Sequence, residues 1–237
     1  MAEMRTGVSI PIVTRGFDEI FFPKTNDINT LSDCWIVDCG PGQFYCTTIT
    51  EFFQPTDLSK FNPSEFDRGA SSLKFFLWHW VNVIFFISPF CPSSAIRCFL
   101  LRMFGARVGK GVVISKPGVN VKFPWRLTIG NHVWIGEKAW IYNLDQVTIG
   151  NHVNIAQGAM ILTGNHNYKS SKFETIFGPV TIEDGVFIGA KAIVCPNVTC
   201  YSHSILAAGS VATSALKAYG IYQGNPAEYK KERVIQE

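Results

Sequence analysis

A chain that sets an aliphatic residue at every sixth position has few ways to bury that row. Stepping by six from Ile129 gives Ile135 and Ile141, then after a slip of two Ile149, Ile155 and Ile161, and after a longer break Ile182, Ile188, Val194, Cys200, Leu206 and Ala212. Ten of these twelve are Ile, Val or Leu, too regular a row for a chance run. Four residues further on usually stands a small side chain, such as Ala139, Ala159, Ala192 or Ser204, as a tight corner requires. An α-helix is excluded, because period six walks around a wheel of about 3.6 residues per turn instead of making one stripe. A parallel β-solenoid fits: each hexad is a short strand plus a corner, the aliphatic residue points into the stack, and successive coils hydrogen-bond at about 4.8 Å spacing. The near copies IGNHVWIGEKAWI and IGNHVNIAQGAMI make the repetition explicit. Gly130, Gly136, Gly150 and Gly189 directly follow their aliphatic residues, where the expected role of glycine is a permissive corner backbone.

Between Ile161 and Ile182 the count fails for 21 residues, three hexads plus three, so residues 163–180 must leave the stack and return near the exit. The segment GNHNYKSSKF has the polar composition of a surface loop. Insertions into solenoids commonly build the functional face, and this one carries His166. Taken alone, His166 suits either a solvated loop residue or a general base. His132 and His152 occupy equivalent corners of the two copied units and read as solvent-facing structural residues; His203 is also at a corner, and His79 lies in an apolar helical segment.

The 237 residues are 47% hydrophobic and 16% charged, enough for one substantial domain with an appendage. A net charge of +3 with scattered Lys and Arg makes no case for nucleic acid, though small anionic ligands stay open. Seven cysteines without a C-x-x-C, behind an N-terminus that lacks a signal-peptide layout, point to reduced thiols in the cytoplasm. Cys34, Cys39 and Cys46 read as small buried side chains rather than as a metal site or disulfide. Residues 73–90, LKFFLWHWVNVIFFISPF, are apolar nearly all round a helical wheel but shorter than the roughly 20 residues of a membrane span. They would pack on the solenoid or lie on a membrane surface, with Arg97, Arg102 and Arg107 beside them to meet anionic head groups. Residues 1–65 show no hexads.

The I-G-[ND]-x-[VA]-x units resemble the hexapeptide-repeat acyltransferases. More narrowly, FDRGASSLKFFLWHWV, the run from LLRMFGARVG to LDQVTIG, and TGNHNY resemble the acetyltransferases of colanic-acid and capsule biosynthesis, over about residues 66–227. The resemblance implies an all-β solenoid, a left-handed parallel β-helix of triangular section, against the usual crossover hand. The expected layout is an extension at 1–65, a helical lead-in at 66–107, the β-helix at 108–217 with its loop at 163–180, and a turn and short helix at 218–237.

By the same resemblance His166 stands where the family has its catalytic histidine, acetyl-CoA is the co-substrate, and the active site lies between neighbouring prisms of a homotrimer. The acceptor would be a sugar hydroxyl of a surface polysaccharide or its lipid-linked precursor, and the chain would work in the cytoplasm, at the inner face of the membrane where its apolar segment touches lipid. Coenzyme A would meet Phe187, Ala190, Ala208, Thr213 and the closing turn Gly224, Asn225 and Pro226. Ser214 replaces a lysine common in the family, and Phe187 a tryptophan. Lys217, or Lys230 with Lys231, would then supply the phosphate-pairing cation. Tyr142, Asn143 and Asp145, at the two-residue slip, either hydrogen-bond the acceptor or fill a corner. No metal is expected: γ-type carbonic anhydrases resemble this fold but need an H-x-x-x-x-H pair, which is missing here. A catalytically silent binding or scaffold protein and an N-acyltransferase on an amino sugar stay open as other readings.

Overall fold

The aliphatic row lies along the axis of a three-sided coil. In the computed structural model, residues 55–62, 66–91 and 93–236 are described in full, and 34–38 and 44–48 by their backbone. The chain divides into two compact units, 1–54 and 55–237. In the first, β1 (Cys34–Asp38) pairs antiparallel with β2 (Phe44–Thr48); Cys39 and the side chains of Cys34 and Cys46 lie outside the described residues. The boundary expected after residue 65 falls earlier because residues 55–62 belong to the second unit, where the Asp57 N–H donates to the Ser171 carbonyl at 2.8 Å.

Before the coils come α1 (Ser72–Val81), a π-helical turn continuing it over Asn82–Ile87, and α2 (Ser94–Met103). Ser71 and Ser93 cap the two helices, accepting from the Lys74 and Ile96 N–H groups. The first coil is β3 (Arg107–Val108), β4 (Val113–Ile114) and β5 (Asn120–Val121); the second is β6 (Leu127–Ile129), β7 (Trp134–Ile135) and β8 (Trp140–Tyr142). The third is β9 (Val147–Ile149), β10 (Asn154–Ile155) and β11 (Met160–Leu162). A hairpin, β12 (Gly164–His166) and β13 (Thr175–Phe177), interrupts. The fourth coil is β14 (Val180–Ile182), β15 (Phe187–Ile188) and β16 (Ile193–Val194), and the fifth β17 (Thr199–Cys200), β18 (Ile205–Leu206) and β19 (Val211–Ala212). The chain closes with β20 (Gly220–Gly224) and β21 (Ala227–Glu232).

Strands stack parallel and in register, so Ile135, Ile155, Ile188 and Leu206 form one buried column and Ile141, Ile161, Val194 and Ala212 another. Burying each aliphatic side chain stabilises by about 1.5–3 kcal/mol. Outward residues differ from face to face. The first face shows a ladder of Thr128, Thr148, Thr181 and Thr199. The second shows Trp134, Asn154, Phe187 and Ile205, and the third Trp140, Met160, Ile193 and Val211.

Two expectations need correction. The glycines that directly follow the aliphatic row serve space rather than backbone freedom: a Cβ on Gly130 would stand 2.5 Å from the Gly150 carbonyl oxygen of the next coil. Left-handed corners are held by other glycines, among them Gly158 (φ 66°), Gly185 (φ 68°) and Gly209 (φ 69°), and by His132 (φ 55°), His152 (φ 55°) and His203 (φ 60°), a conformation histidine tolerates better than most residues. These are the corner histidines of the sequence reading, and the rings of His132 and His152 stack at 5.2 Å.

The second correction is at the C-terminus, where the expected helix is the β20–β21 hairpin. β20 adds in parallel to β18, with Ile221 opposite Ile205 and the Tyr222 ring buried, and β21 folds back antiparallel on β20. The ladder edge of the last coil offers these residues backbone partners that a helix would leave unmet.

Gly130→Ala is expected to lower unfolding stability by about 2 kcal/mol or more, since carbonyl backbone must move to admit the methyl group. Urea denaturation checks this, and an unchanged midpoint would show that the corner has room.

Candidate active site

The large departures from the count of six fall on one edge of the prism, between the third and first faces. Elsewhere inward residues are six or seven apart, but here the gaps are Val121 to Ile129, Ile141 to Ile149 and Ile161 to Ile182. The extra residues stack into a wall. Asn143 fills its middle corner, accepting from the Phe123 N–H at 2.9 Å and donating to the Phe123 and Arg126 carbonyls at 2.6 and 3.2 Å. Thr163 pins the hairpin's exit: its hydroxyl donates to the Tyr142 carbonyl at 3.2 Å and accepts from the Asp145 N–H at 2.8 Å. Its carbonyl accepts from the Gly178 N–H at 2.9 Å, so the same residue fixes the return.

What the sequence presents as a loop is an antiparallel hairpin with His166 opposite Thr175. Asn167 clamps it, its N–H donating to the Glu174 carbonyl at 2.9 Å and its amide to the Glu174 carboxylate at 2.8 Å. The Ser170 hydroxyl, then the backbone, then Asn167 hold the Glu174 carboxyl below the usual range, keeping it an anion.

His166 Nδ1 lies 2.9 Å from the Phe173 carbonyl oxygen. A carbonyl only accepts, so Nδ1 carries the proton and Nε2 keeps a lone pair. The imidazole stacks on the Phe173 ring at 4.7 Å and meets the edge of Phe61 at 5.6 Å. Phe173 itself sits at φ 52°, in the sparsely populated left-handed region.

His166 lines a cleft of about 700 Å³. Phe61, Phe66, Phe75, Phe123 and Tyr142 supply aromatic surface, and Arg68 and Lys122 supply cations. The Arg68 guanidinium lies 4.9 Å from the Phe75 ring centre, and Lys122 Nζ lies 5.9 Å from that of Tyr142. Trp125 and Arg126 hang the segment bearing Phe66 and Arg68 on the wall, donating to the Arg68 and Asp67 carbonyls at 2.8 and 2.6 Å. Such a site offers an acceptor flat apolar faces, positive charge and one base.

Of the expected acceptor residues, Tyr142 lines this cleft with His166. Asn143 does not: it is 0% exposed and its amide is spent on backbone, so the corner-filling reading replaces the ligand reading. Asp145 is outside the cleft lining and accepts from the Gln146 N–H at 2.6 Å. The cofactor candidates are elsewhere too. Ala190 and Ala208 occupy successive corners between the second and third faces, joined by Gly209 N–H to Ala190 carbonyl at 2.9 Å. The Gly224 N–H donates to the Ser210 hydroxyl at 3.0 Å, which brings the turn with Asn225 and Pro226 to the same corner. Phe187 is half-buried on the second face beside Trp134 and Asn154. Thr213, Ser214 and Lys217 are exposed after β19. Lys230 pairs with Glu228 at 3.1 Å, which lessens its use as a phosphate partner, while Lys231 stands opposite Ile221. Among the described residues no cluster of His, Cys, Asp and Glu fits a metal ion.

Phe61, Phe66, Arg68, Phe75, Lys122, Phe123 and Phe173 are site residues that the sequence reading does not single out. Most belong to aperiodic stretches, where no count of six assigns a direction to a side chain. The hydrogen bond to Phe173 yields a direct expectation: long-range ¹H–¹⁵N spectra of the neutral protein show His166 as the Nδ1–H tautomer. A dominant Nε2–H form would remove the carbonyl clamp.

No protein-family model matches the chain. It is 35% identical over 178 residues to the "Putative colanic acid biosynthesis acetyltransferase WcaF" of Escherichia coli (strain K12), covering 75% of this chain and 97% of that protein. The hexapeptide-repeat acetyltransferase VCA0836 of Vibrio cholerae O1 biovar eltor, crystallised with acetyl coenzyme A, superposes with a TM-score of 0.63 at 25% identity over 70% of this chain and 92% of that one. A maltose O-acetyltransferase of Clostridium difficile 630 shares the fold, with a TM-score of 0.59 at 19% identity over 70% of this chain and 90% of that one. Its coils, its sequence and its neighbours agree on one assignment: the chain belongs to the hexapeptide-repeat acetyltransferases, whose fold is the left-handed parallel β-helix.

Proposed function

We propose that the protein moves the acetyl group of acetyl-CoA onto a sugar hydroxyl of a surface polysaccharide or its lipid-linked precursor, on the cytoplasmic side of the membrane, with His166 as general base. The observation that carries this reading is the Nδ1–Phe173 clamp, which leaves Nε2 as a proton acceptor inside an aromatic, cationic cleft. Nε2 takes the hydroxyl proton while the acceptor oxygen bonds to the thioester carbonyl carbon. When the tetrahedral intermediate collapses, the C–S bond breaks and the imidazolium returns the proton to the leaving thiolate. Aromatic faces suit the C–H faces of a sugar ring, and Arg68 and Lys122 suit an acceptor that carries phosphate or carboxylate. The relative's name, with colanic acid biosynthesis in it, and the neighbour's bound acetyl-CoA supply the substrate classes.

The cofactor candidates Ala190, Ala208 and Gly224 do not line the cleft of His166. A neighbouring prism would supply them, which favours a homotrimer closed by heterologous contacts. The outward rows support this: the threonine face is content in water, whereas Trp134, Phe187 and Ile205 on one face and Trp140, Met160 and Ile193 on another gain from cover.

His166→Ala is expected to lower kcat roughly 10²- to 10⁴-fold with acetyl-CoA affinity nearly unchanged, because a base acts mainly in the transition state. His132→Ala and His152→Ala keep full turnover. Full activity in His166→Ala sinks the base assignment, and N-acetyl products alone from a mixed panel of sugars and amino sugars sink the hydroxyl acceptor. Light scattering is expected to give three times the 26.4 kDa chain mass; an active monomer would end the shared-site reading.

A further inference from the structure

We infer that the outer stripe of the helical hairpin 72–103 docks the protein on an anionic membrane surface. The continuous helix of α1 and the π-helical turn buries Trp78, Asn82 and Phe86 against the first coil. Its opposite side carries Leu73, Phe76, Leu77, Trp80, Ile84 and Ile87, at helical spacing and all exposed, with Phe76 at 57% and Trp80 at 50%. α2 repeats the arrangement, burying Arg97, Cys98 and Leu101 and exposing Ile96, Phe99 and Met103. Between them Phe90 is 88% exposed. Soluble chains rarely leave so much large apolar surface in water without a partner.

The electrostatics select the partner. From Asp67 to Glu137 the chain has nine Lys or Arg and no Asp or Glu between, so a whole-chain balance of 21 basic against 18 acidic residues hides a strongly cationic third. Not all of these cations are available. Arg97 is 1% exposed and donates to the carbonyls of Phe85 at 2.8 Å, Ile114 at 3.2 Å and Cys91, which corrects its expected role at head groups. Arg102 spends Nε and Nη2 on the Val108 and Gly109 carbonyls at 3.0 and 2.7 Å. Arg107, Lys110 and Lys116, in contrast, are exposed on the first coil, on which α2 packs through Ser94. An exposed apolar and aromatic stripe, on a stretch of chain that adds cations and no Asp or Glu between Asp67 and Glu137, matches the head-group boundary of an anionic bilayer. A second copy seated on this stripe would bring the same positive charge against it. Residues 1–54 form a compact unit of their own. Among the described residues no helix is long and apolar enough to cross a membrane, so the hairpin lies on the surface. Docking here does not depend on the chemistry of His166, although α1 also carries Phe75 into that cleft, which sets the cleft one helix away from the lipid.

The test is sedimentation of the full chain with vesicles of phosphatidylcholine alone or mixed with phosphatidylglycerol, together with hydroxyl-radical footprinting. Expected are co-sedimentation with the anionic vesicles, weakened about tenfold or more by neutral lipid or by 0.5 M salt, and protection of Phe76, Trp80 and Met103 only when vesicles are present. Phe76→Glu/Trp80→Glu/Phe99→Glu, all at exposed positions, is expected to lose at least about 30-fold in partitioning with its thermal unfolding unchanged; Phe90→Ser is a milder variant with a smaller loss. A full chain left in the supernatant overturns the inference, as does a triple variant that binds like wild type. Equal binding to neutral vesicles overturns its anionic part. Protection of the stripe without vesicles overturns it in favour of residues 1–54 or a second copy as the cover.

Discussion

Strand N–H and C=O groups in each coil find their partners in the coil before or after, and the aliphatic columns find cover there too. A stack of this kind has no natural end: its terminal coils expose both a row of unpaired backbone groups and the end of the apolar axis. The two ends are closed by different means. At the first coil the helices press Trp78, Phe86 and Leu101 over the axis, Trp78 Nε1 donates to the Val121 carbonyl at 2.9 Å, and Arg97 fastens the π-helical turn to β4. At the last, Leu216 bridges to Cys200 and Tyr222 covers the axis, its hydroxyl accepting from the Lys217 N–H at 3.0 Å. Helices cap with one side only. A helix apolar all round therefore closes the core and leaves an apolar stripe facing outward.

The same constraint governs the site. Because each coil must resume its register, any excursion has to return to its point of departure, and Thr163 serves both exit and return. A hairpin tied at its root in this way holds His166 on hydrogen-bonded backbone rather than on a free loop. The residue that orients the imidazole is a backbone carbonyl, that of Phe173, and not a carboxylate. It fixes the tautomer without placing a negative charge beside the ring. The nearby anion, Glu174, is occupied with the amide of Asn167 and stabilises the hairpin.

Periodicity decides what the sequence reveals. The aliphatic columns, the corner histidines and the excursion at Ile161 are legible because each is a term in a count or a gap in one. Gly130 is legible as a corner residue, but the reason for glycine there depends on the next coil, which no single hexad contains. Asn143 sits at a slip that suits a ligand contact and a corner filler equally; only the backbone of Phe123 and Arg126, some 20 residues away in sequence, distinguishes them. Phe61, Phe66 and Phe75 precede the repeat, so nothing in their order says that they turn toward His166. The hairpin at the C-terminus is not legible in the sequence, because its strand character comes from the open edge of β18, a tertiary partner that overrides local propensity. The net charge of the whole chain averages over the acid-free run after Asp67 and so conceals it.

Inward residues of the coils are nearly interchangeable, so information about assembly has to lie in the outward position of each strand. The third face, with Trp140, Met160, Ile193 and Val211, runs between two unlike edges. Along one edge the large departures from the count of six accumulate, and the wall and hairpin of the His166 cleft rise there. Along the other lie the regular corners of Ala190 and Ala208 with the turn at Gly224 drawn in beside them. Within one chain these two edges are held apart by the full width of a face. Under the function proposed above, with His166 as base and coenzyme A at the corners of Ala190 and Ala208, the base of one copy would be served by the corners of the next, and an apolar face between the two edges is what would press such copies together. In that proposal the regularity of the later coils would be as functional as the irregularity of the earlier ones: one edge projects and the other stays flat enough to receive it.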